Sequence, residues 1–275
     1  MKNKTRRIWQ YAVLIFFALL ILLPFLFMLV TSLRPMMDLA QNGAMSTPAS
    51  ISLDNYTKAW TKGNFIAYYK NSLWISAATV AILLTVVLCA SYALVFLRLH
   101  GKKLVMSLIL FGLIIPFEQI MFPLFTNLRS YGLINTSWAV ILPQAALGIP
   151  VGVMLMKNYM AGIPDEIIQA ARIDGASEAA VLLRIVIPMT KPVINTLLIF
   201  FTISSWNNFM LPNIMLQKPE VQTLTVGLNY FKESNSADFP LMIAAAFIVA
   251  LPVLLVYVIF QKRITEGMLA GSMKG

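Results

Sequence analysis

Few side chains in this sequence can do chemistry. One histidine, His100, and one cysteine, Cys89, occur in 275 residues, so neither a histidine-rich metal site nor an internal disulfide can be built. No G-x4-G-K-[ST] phosphate loop, no H-E-x-x-H and no G-x-S-x-G is present. The commonest signatures of nucleotide hydrolysis, zinc proteolysis and serine hydrolysis are therefore missing. His100 stands beside Arg98, Lys102 and Lys103, the setting of an interfacial basic residue. Cys89 lies inside an apolar stretch, where a thiol packs as a small hydrophobe. Two polar islands remain within lipid-length sequence. The first is Glu118 with Gln119, near Pro116 and Pro123. An ionisable group in such a place faces protein or a water-filled cavity, so Glu118 either lines a path or hydrogen-bonds to a partner subunit. The second is Trp206, Asn207 and Asn208. Amides and an indole can hold the hydroxyls and ring face of a solute, but asparagine more often ties helix to helix in lipid.

Those islands need helices to carry them. With 59% hydrophobic and only 12% charged residues, against roughly 25% charged in an ordinary soluble domain, a water-soluble globule is excluded. Stretches near the ~20 residues that cross a ~30 Å hydrocarbon core lie at 11–33, 73–97, 104–125, 138–156, 192–215 and 239–260. The expected fold is an all-α membrane protein of six transmembrane helices, a single transmembrane domain over residues 1–275. The first stretch is longer than a signal-peptide apolar region and no A-x-A site follows it, so it reads as a retained span. With the N-terminus inside, fourteen of the 21 Lys and Arg fall on the inner side and seven on the outer. That bias puts both termini in the cytoplasm. The net charge of +10 is spread thinly at the ends of apolar stretches, a topological pattern rather than a nucleic-acid surface. If 104–125 is one continuous helix, Glu118 stands about 21 Å above Leu104, in the outer half of the bilayer. The long outer connection from Arg34 to Ser72, with Tyr56, Trp60, Phe65, Tyr68 and Tyr69, reads either as an interfacial amphipathic segment or as a partner-docking surface.

The long inner connection, 157–191, carries more information. Pro164 suits a first helical position, and Asp165 with Glu166 puts negative charge on the positive end of the helix dipole. The helix is expected to stop near Asp174, because Gly175 can adopt the left-handed conformation. Ser177 then caps a second helix, which Pro188 and Pro192 break before the next span. Ala170 and Ala171 leave a low-relief face ahead of the turn, although alanine is also simply a good helix former.

QAARIDG, nine residues and then Ile185-Val186-Ile187-Pro188 resembles the EAA-x3-G-x9-I-x-L-P signature of permease subunits of bacterial ATP-binding-cassette importers. ARIDGAS at 171–177, SWNNF at 205–209 and the tail EGMLAGSMKG at 266–275 are similar to the carbohydrate-importing branch of that family. The resemblance covers all six stretches. It implies that the loop is a coupling element docking into the cytoplasmic ATPase, with Gln169, Ala170, Ala171, Arg172, Asp174 and Gly175 at the contact. Gln169 stands where the family usually has Glu, and Ile187 where it has Leu. It further implies a second homologous permease, two ATP-binding subunits that hold the ATP and Mg, an extracellular solute-binding protein and a place in the bacterial inner membrane. A self-sufficient secondary transporter or channel, and a membrane scaffold without transport, are the alternative classes. The first is expected to show inverted repeats and several intramembrane charges, and only Glu118 is of that kind.

Overall fold

The computed structural model describes residues 2–234 and 238–272, with the side chains at 2–6, 8, 62, 230, 232–234 and 260–272 outside that description. The tail motif at 266–275 and several of the counted basic residues, among them Lys2, Lys4, Arg6, Lys262 and Lys274, therefore lie outside the described side chains. All regular structure among the described residues is helical: α1 (Lys2–Ser32), α2 (Met36–Asn42), α3 (Asp54–Lys62), α4 (Phe65–Phe96), α5 (Lys102–Phe111), α6 (Phe117–Ser130), α7 (Trp138–Met160), α8 (Asp165–Ile173), α9 (Glu178–Val181), α10 (Ile187–Met189), α11 (Lys191–Asn207), α12 (Met210–Met215), α13 (Leu224–Ser234) and α14 (Phe239–Ser272). A π-helical turn at Leu182–Val186 joins α9 to α10, and a 3-10 turn occupies Pro219–Val221.

Among the described residues, four helices are long and apolar enough to cross a membrane: Trp9–Ser32, Phe65–Phe96, Trp138–Met160 and Phe239–Ile259. A fifth candidate is a bent pair, Glu178–Met189 and Lys191–Asn207, meeting at 78°. The stretch expected as a continuous third helix is parted at 112–116 into α5 and α6. Pro116 has no N–H to donate to residue 112, and its ring drives Ile115 out of the helical region; Pro116 itself is extended, with φ −62° and ψ 137°. At 1.5 Å per residue α5 and α6 are about 15 and 21 Å long, so neither crosses ~30 Å alone. The continuous rise from Leu104 that set the depth of Glu118 is thereby lost. The expected fifth helix is parted as well, at Asn208 and Phe209, into α11 and α12. Asn208 leaves helical geometry with ψ 123°, and its Oδ1 accepts from Leu211 N at 3.3 Å, supporting the first turn of α12.

The chain divides into two compact units. In the unit of Ala67–Val226 with Val253–Gly275, one apolar cluster gathers Leu83, Val87, Val153, Met156, Met160, Val186 and Leu197. A second gathers Ile75, Ile141, Leu211 and Met215. α7 runs through both, and its Gly152 lets Val87 of α4 come so near that a Cβ there would lie 2.5 Å from Val87 Cγ2. Small residues permit such close helix approach in lipid.

In the unit of Met1–Ile66 with Gly227–Pro252, the side chains of α1 over residues 9–30 are exposed except for a half-buried Phe27. The segment after it folds around a buried guanidinium. Arg34, only 1% exposed, donates from Nε to Asp38 Oδ2 at 2.7 Å and from Nη1 and Nη2 to Ser46 O and Oγ at 3.1 and 2.8 Å. Asn55 closes the knot by donating to the carbonyls of Ser32 and Arg34 at 2.9 and 2.8 Å. The guanidinium beside Asp38, with help from Asn42, holds its carboxyl below the usual range. Farther along, Phe65 stacks between Trp60 and Phe231, with centroids 6.1 and 5.7 Å away.

Candidate functional site

The loop after α7 folds from purely local instructions. Pro164 precedes α8 with extended ψ 130°, and Asp165 and Glu166 fill its first turn. At the other end Gly175 has φ +81°. Its N–H reaches the Arg172 carbonyl at 3.1 Å, and Ala176 N reaches the Ala171 carbonyl at 3.0 Å. These are the paired bonds of a Schellman turn, which satisfies the last helical carbonyls and requires a left-handed residue at its centre. Ser177 Oγ then accepts from Ala180 N at 3.3 Å, capping α9 as its position suggests. Pro188 does not end the helix, as had been expected of it: the chain runs on through the π-helical turn, and the 78° bend falls at Thr190. Pro192, two residues later, has no N–H for the Pro188 carbonyl, while the buried Thr190 donates from Oγ1 to Val186 O at 2.8 Å.

The six loop residues point different ways. Gln169, Ala170, Asp174 and Gly175 are exposed, Ala171 is half-buried against the apolar core, and Arg172 folds back. Ile173, which sequence reading did not select, is 86% exposed at the tip. Its spacing, three and four residues beyond Ala170 and Gln169, was the available signal. Arg172 donates from Nε to Glu178 Oε1 at 2.8 Å, from Nη2 to Glu178 Oε2 at 3.1 Å, and from Nη2 to the Phe96 carbonyl at 3.1 Å. Tyr92 donates its hydroxyl to Glu178 Oε2. Arg172 first, then Tyr92, hold the Glu178 carboxyl below the usual glutamate range.

A cavity of about 220 Å³ opens between α4, α7 and α11. Thr79, Gln144, Ser204, Ser205 and Asn208 give it polar wall, and Leu83, Leu147, Val151, Phe200 and Phe201 give it apolar wall. Gln144 Oε1 accepts from Ser205 Oγ at 2.6 Å and from Thr79 Oγ1 at 3.5 Å. Its Nε2 is buried and has no partner among the described residues. A buried amide donor left so is costly unless something else accepts from it. Of the five residues expected at a pathway or a permease interface, only Asn208 lines this cavity. Trp206 is buried 5.9 Å from the Tyr69 ring, its indole Nε1 also unpartnered among the described residues. Asn207 is exposed, and so are Glu118 and Gln119 on the first turn of α6, where a carboxylate favours the positive end of the helix dipole. Gln144 escaped sequence reading because a single uncharged polar residue does not interrupt a span.

Among the described residues the chain is helical, with a structured loop and a cavity walled by polar and apolar side chains alike, and no three of His, Cys, Asp and Glu cluster to hold a metal. The chain belongs to the family of binding-protein-dependent transport system inner membrane components, whose sequence model matches residues 97–268. It is 32% identical over 281 residues to the arabinooligosaccharides transport system permease protein AraQ of Halalkalibacterium halodurans, covering 100% of each chain. It is 29% identical over 268 residues to the diacetylchitobiose uptake system permease protein NgcG of Streptomyces coelicolor, covering 96% of this chain and 88% of that one. Its fold matches a chain in the crystal structure of a bacterial ABC transporter that imports the acidic polysaccharide alginate, with a TM-score of 0.79, 24% identity and coverage of 95% and 97%.

Proposed function

We propose that this chain is one of two permease subunits of an ATP-driven importer and helps to form the path by which a sugar, oligosaccharide or related solute enters the cell. The whole chain acts as one domain in the bacterial inner membrane. It crosses six times: by α1, α4, the parted α5 and α6, α7, the parted α11 and α12, and α14. Breaks in α5–α6 and α11–α12 are tolerated at membrane depth where they face protein or a cavity. Both termini and the 157–191 loop are cytoplasmic, in keeping with the Lys and Arg bias. A solute-binding protein delivers cargo from outside. ATP and Mg belong to two ATPase subunits on the inner side.

The observation that carries this reading is the exposed rim of Gln169, Ala170, Ile173 and Asp174 on a rigid Schellman turn. An isoleucine 86% exposed between two polar neighbours suits a protein cleft better than lipid, and Ala170 and Gly175 let that cleft come close. The oligosaccharide permeases among its relatives support the choice of cargo. ATPase closure displaces the loop, and the buried Thr190 at the 78° bend passes the displacement to α11. Phe200, Phe201, Ser204 and Ser205 on α11 wall the cavity, so its shape changes with the loop, a form of alternating access. The polar and aromatic walls suit a sugar ring, hydroxyls toward Gln144 and the carbon–hydrogen face toward the phenylalanines.

The test is Gly175→Asp in the assembled importer. Asp at φ +81° strains the turn and adds charge to the docking rim, so membrane insertion persists while ATPase association or stimulated turnover falls about tenfold, the equivalent of roughly 1.4 kcal/mol within the range for such strain. Normal coupled uptake contradicts the reading.

A further inference from the structure

We propose that Arg172, Glu178 and Tyr92 form a joint that makes the helix–Gly–helix loop move as one body with the end of α4, so that the loop drives α4 as well as α11. The proposal rests on the reading of this loop as the ATPase-docking element.

Arg172 is the last-turn cation of α8, a place from which a side chain ordinarily extends into water. Here the side chain, still 35% exposed, bends back toward α4 and makes three bonds. Two go to Glu178 across the Gly175 turn, and one goes to the carbonyl of Phe96, the last residue of α4. That carbonyl is among those a helix leaves without an internal partner. Glu178 meanwhile takes the hydroxyl of Tyr92, one turn earlier on the same helix. Tyr92 is 4% exposed, its ring is 5.5 Å from that of Phe96, and both join Ile168 and Val181 of the loop in one buried cluster.

The arrangement does more than a surface ion pair, which contributes little by itself. A single contact between loop and helix would act as a swivel. Two contacts one turn apart, made by the two partners of an ion pair that also clamps the Gly turn, fix direction as well as distance. The planar fork of arginine suits such a fixed geometry, and lysine does not. α4 runs its whole length of 32 residues without a proline or glycine, and its Thr79 and Leu83 wall the cavity. Leu83 is nine residues from Tyr92, about 14 Å along a stiff helix. The loop thus grips two of the three cavity walls, α11 through the bend at Thr190 and α4 through the joint.

The experiment uses the complete importer reconstituted in vesicles, with its ATPase subunits, binding protein and cargo, and reads cargo imported per ATP hydrolysed. Retention of ATPase subunits by the wild-type complex tests the underlying reading separately; their absence overturns that reading and the proposal with it. Where they are retained, Tyr92→Phe keeps them too but imports severalfold less cargo per ATP. The exchange R172E/E178R restores the ion pair across the turn, yet a carboxylate at position 172 cannot donate to the Phe96 carbonyl, so the ratio stays low. A wild-type ratio in Tyr92→Phe overturns the joint whatever the exchange shows. An exchange that returns to the wild-type ratio also overturns it, because the ion pair then only holds the turn. If the exchange fails to assemble, Tyr92→Phe, which lacks one oxygen, decides alone.

Discussion

A Cβ on Gly148 would lie 2.1 Å from Leu83 Cδ1: α7 and α4 meet so closely that no side chain fits between them. Leu83 is only 1% exposed and Phe201 Cε1 would lie 3.1 Å from the same Cβ, so the added methyl is relieved only if Leu83 turns into the cavity it walls. Gly148→Ala is therefore expected to lower the unfolding stability of the purified protein by about 1–3 kcal/mol, the range for overpacking a filled site. A Gly148→Ala variant that matches the wild type in a thermal or denaturant melt would mean that the two helices stand farther apart.

Gln144 makes the opposite prediction, a functional loss with little change in stability. Replacing it by Leu removes the unpartnered Nε2 and also the acceptor of the buried Ser205 and Thr79 hydroxyls, which can turn back to carbonyls one turn earlier on their own helices, so the net cost to folding is held to about 1 kcal/mol. In the assembled importer the KM for cargo rises several-fold while subunit association is kept. An unchanged KM removes Gln144 from the cargo path.

Acid is expected to loosen the loop only late. Arg172 and Tyr92 hold the Glu178 carboxyl below its ordinary value of 4.5. A group so depressed adds stability at every pH above that ordinary value, and the contribution is lost as pH falls through the lower folded value. Hydrogen exchange of residues 172–181 should keep a constant protection from neutral pH down to 4.5, once corrected for the intrinsic rate. Glu178→Gln should show weaker protection throughout. Loosening that begins between neutral pH and that ordinary value would contradict the ion pair as described.

What could be read in advance follows the range of the interactions. Pro164, Gly175 and Ser177 act on their immediate neighbours, so the helix–Gly–helix was legible from spacing alone. Hydropathy averaged over a window is blind to where a helix breaks: Leu113, Ile114 and Ile115 are as apolar as the turns around them, and the separation of α5 from α6 was hidden. Asn208 gave a signal that could be read in two ways, and the structure uses it to support α12. The Arg34 knot joins residues up to 23 positions apart, and nothing local marks Asn55 as its partner. Arg172 was legible as a loop residue but not in its direction, because Tyr92 and Phe96 come to it only once α4 has packed.

Under the proposed function, force enters this permease from outside the chain, at the rim of Gln169, Ala170, Ile173 and Asp174. The most direct measurement is cargo uptake into vesicles holding the paired permeases with and without their ATPase subunits, at saturating ATP and binding protein. Uptake against a gradient only when the ATPase subunits are present is the expected result. Concentrative uptake by the permeases alone would contradict it.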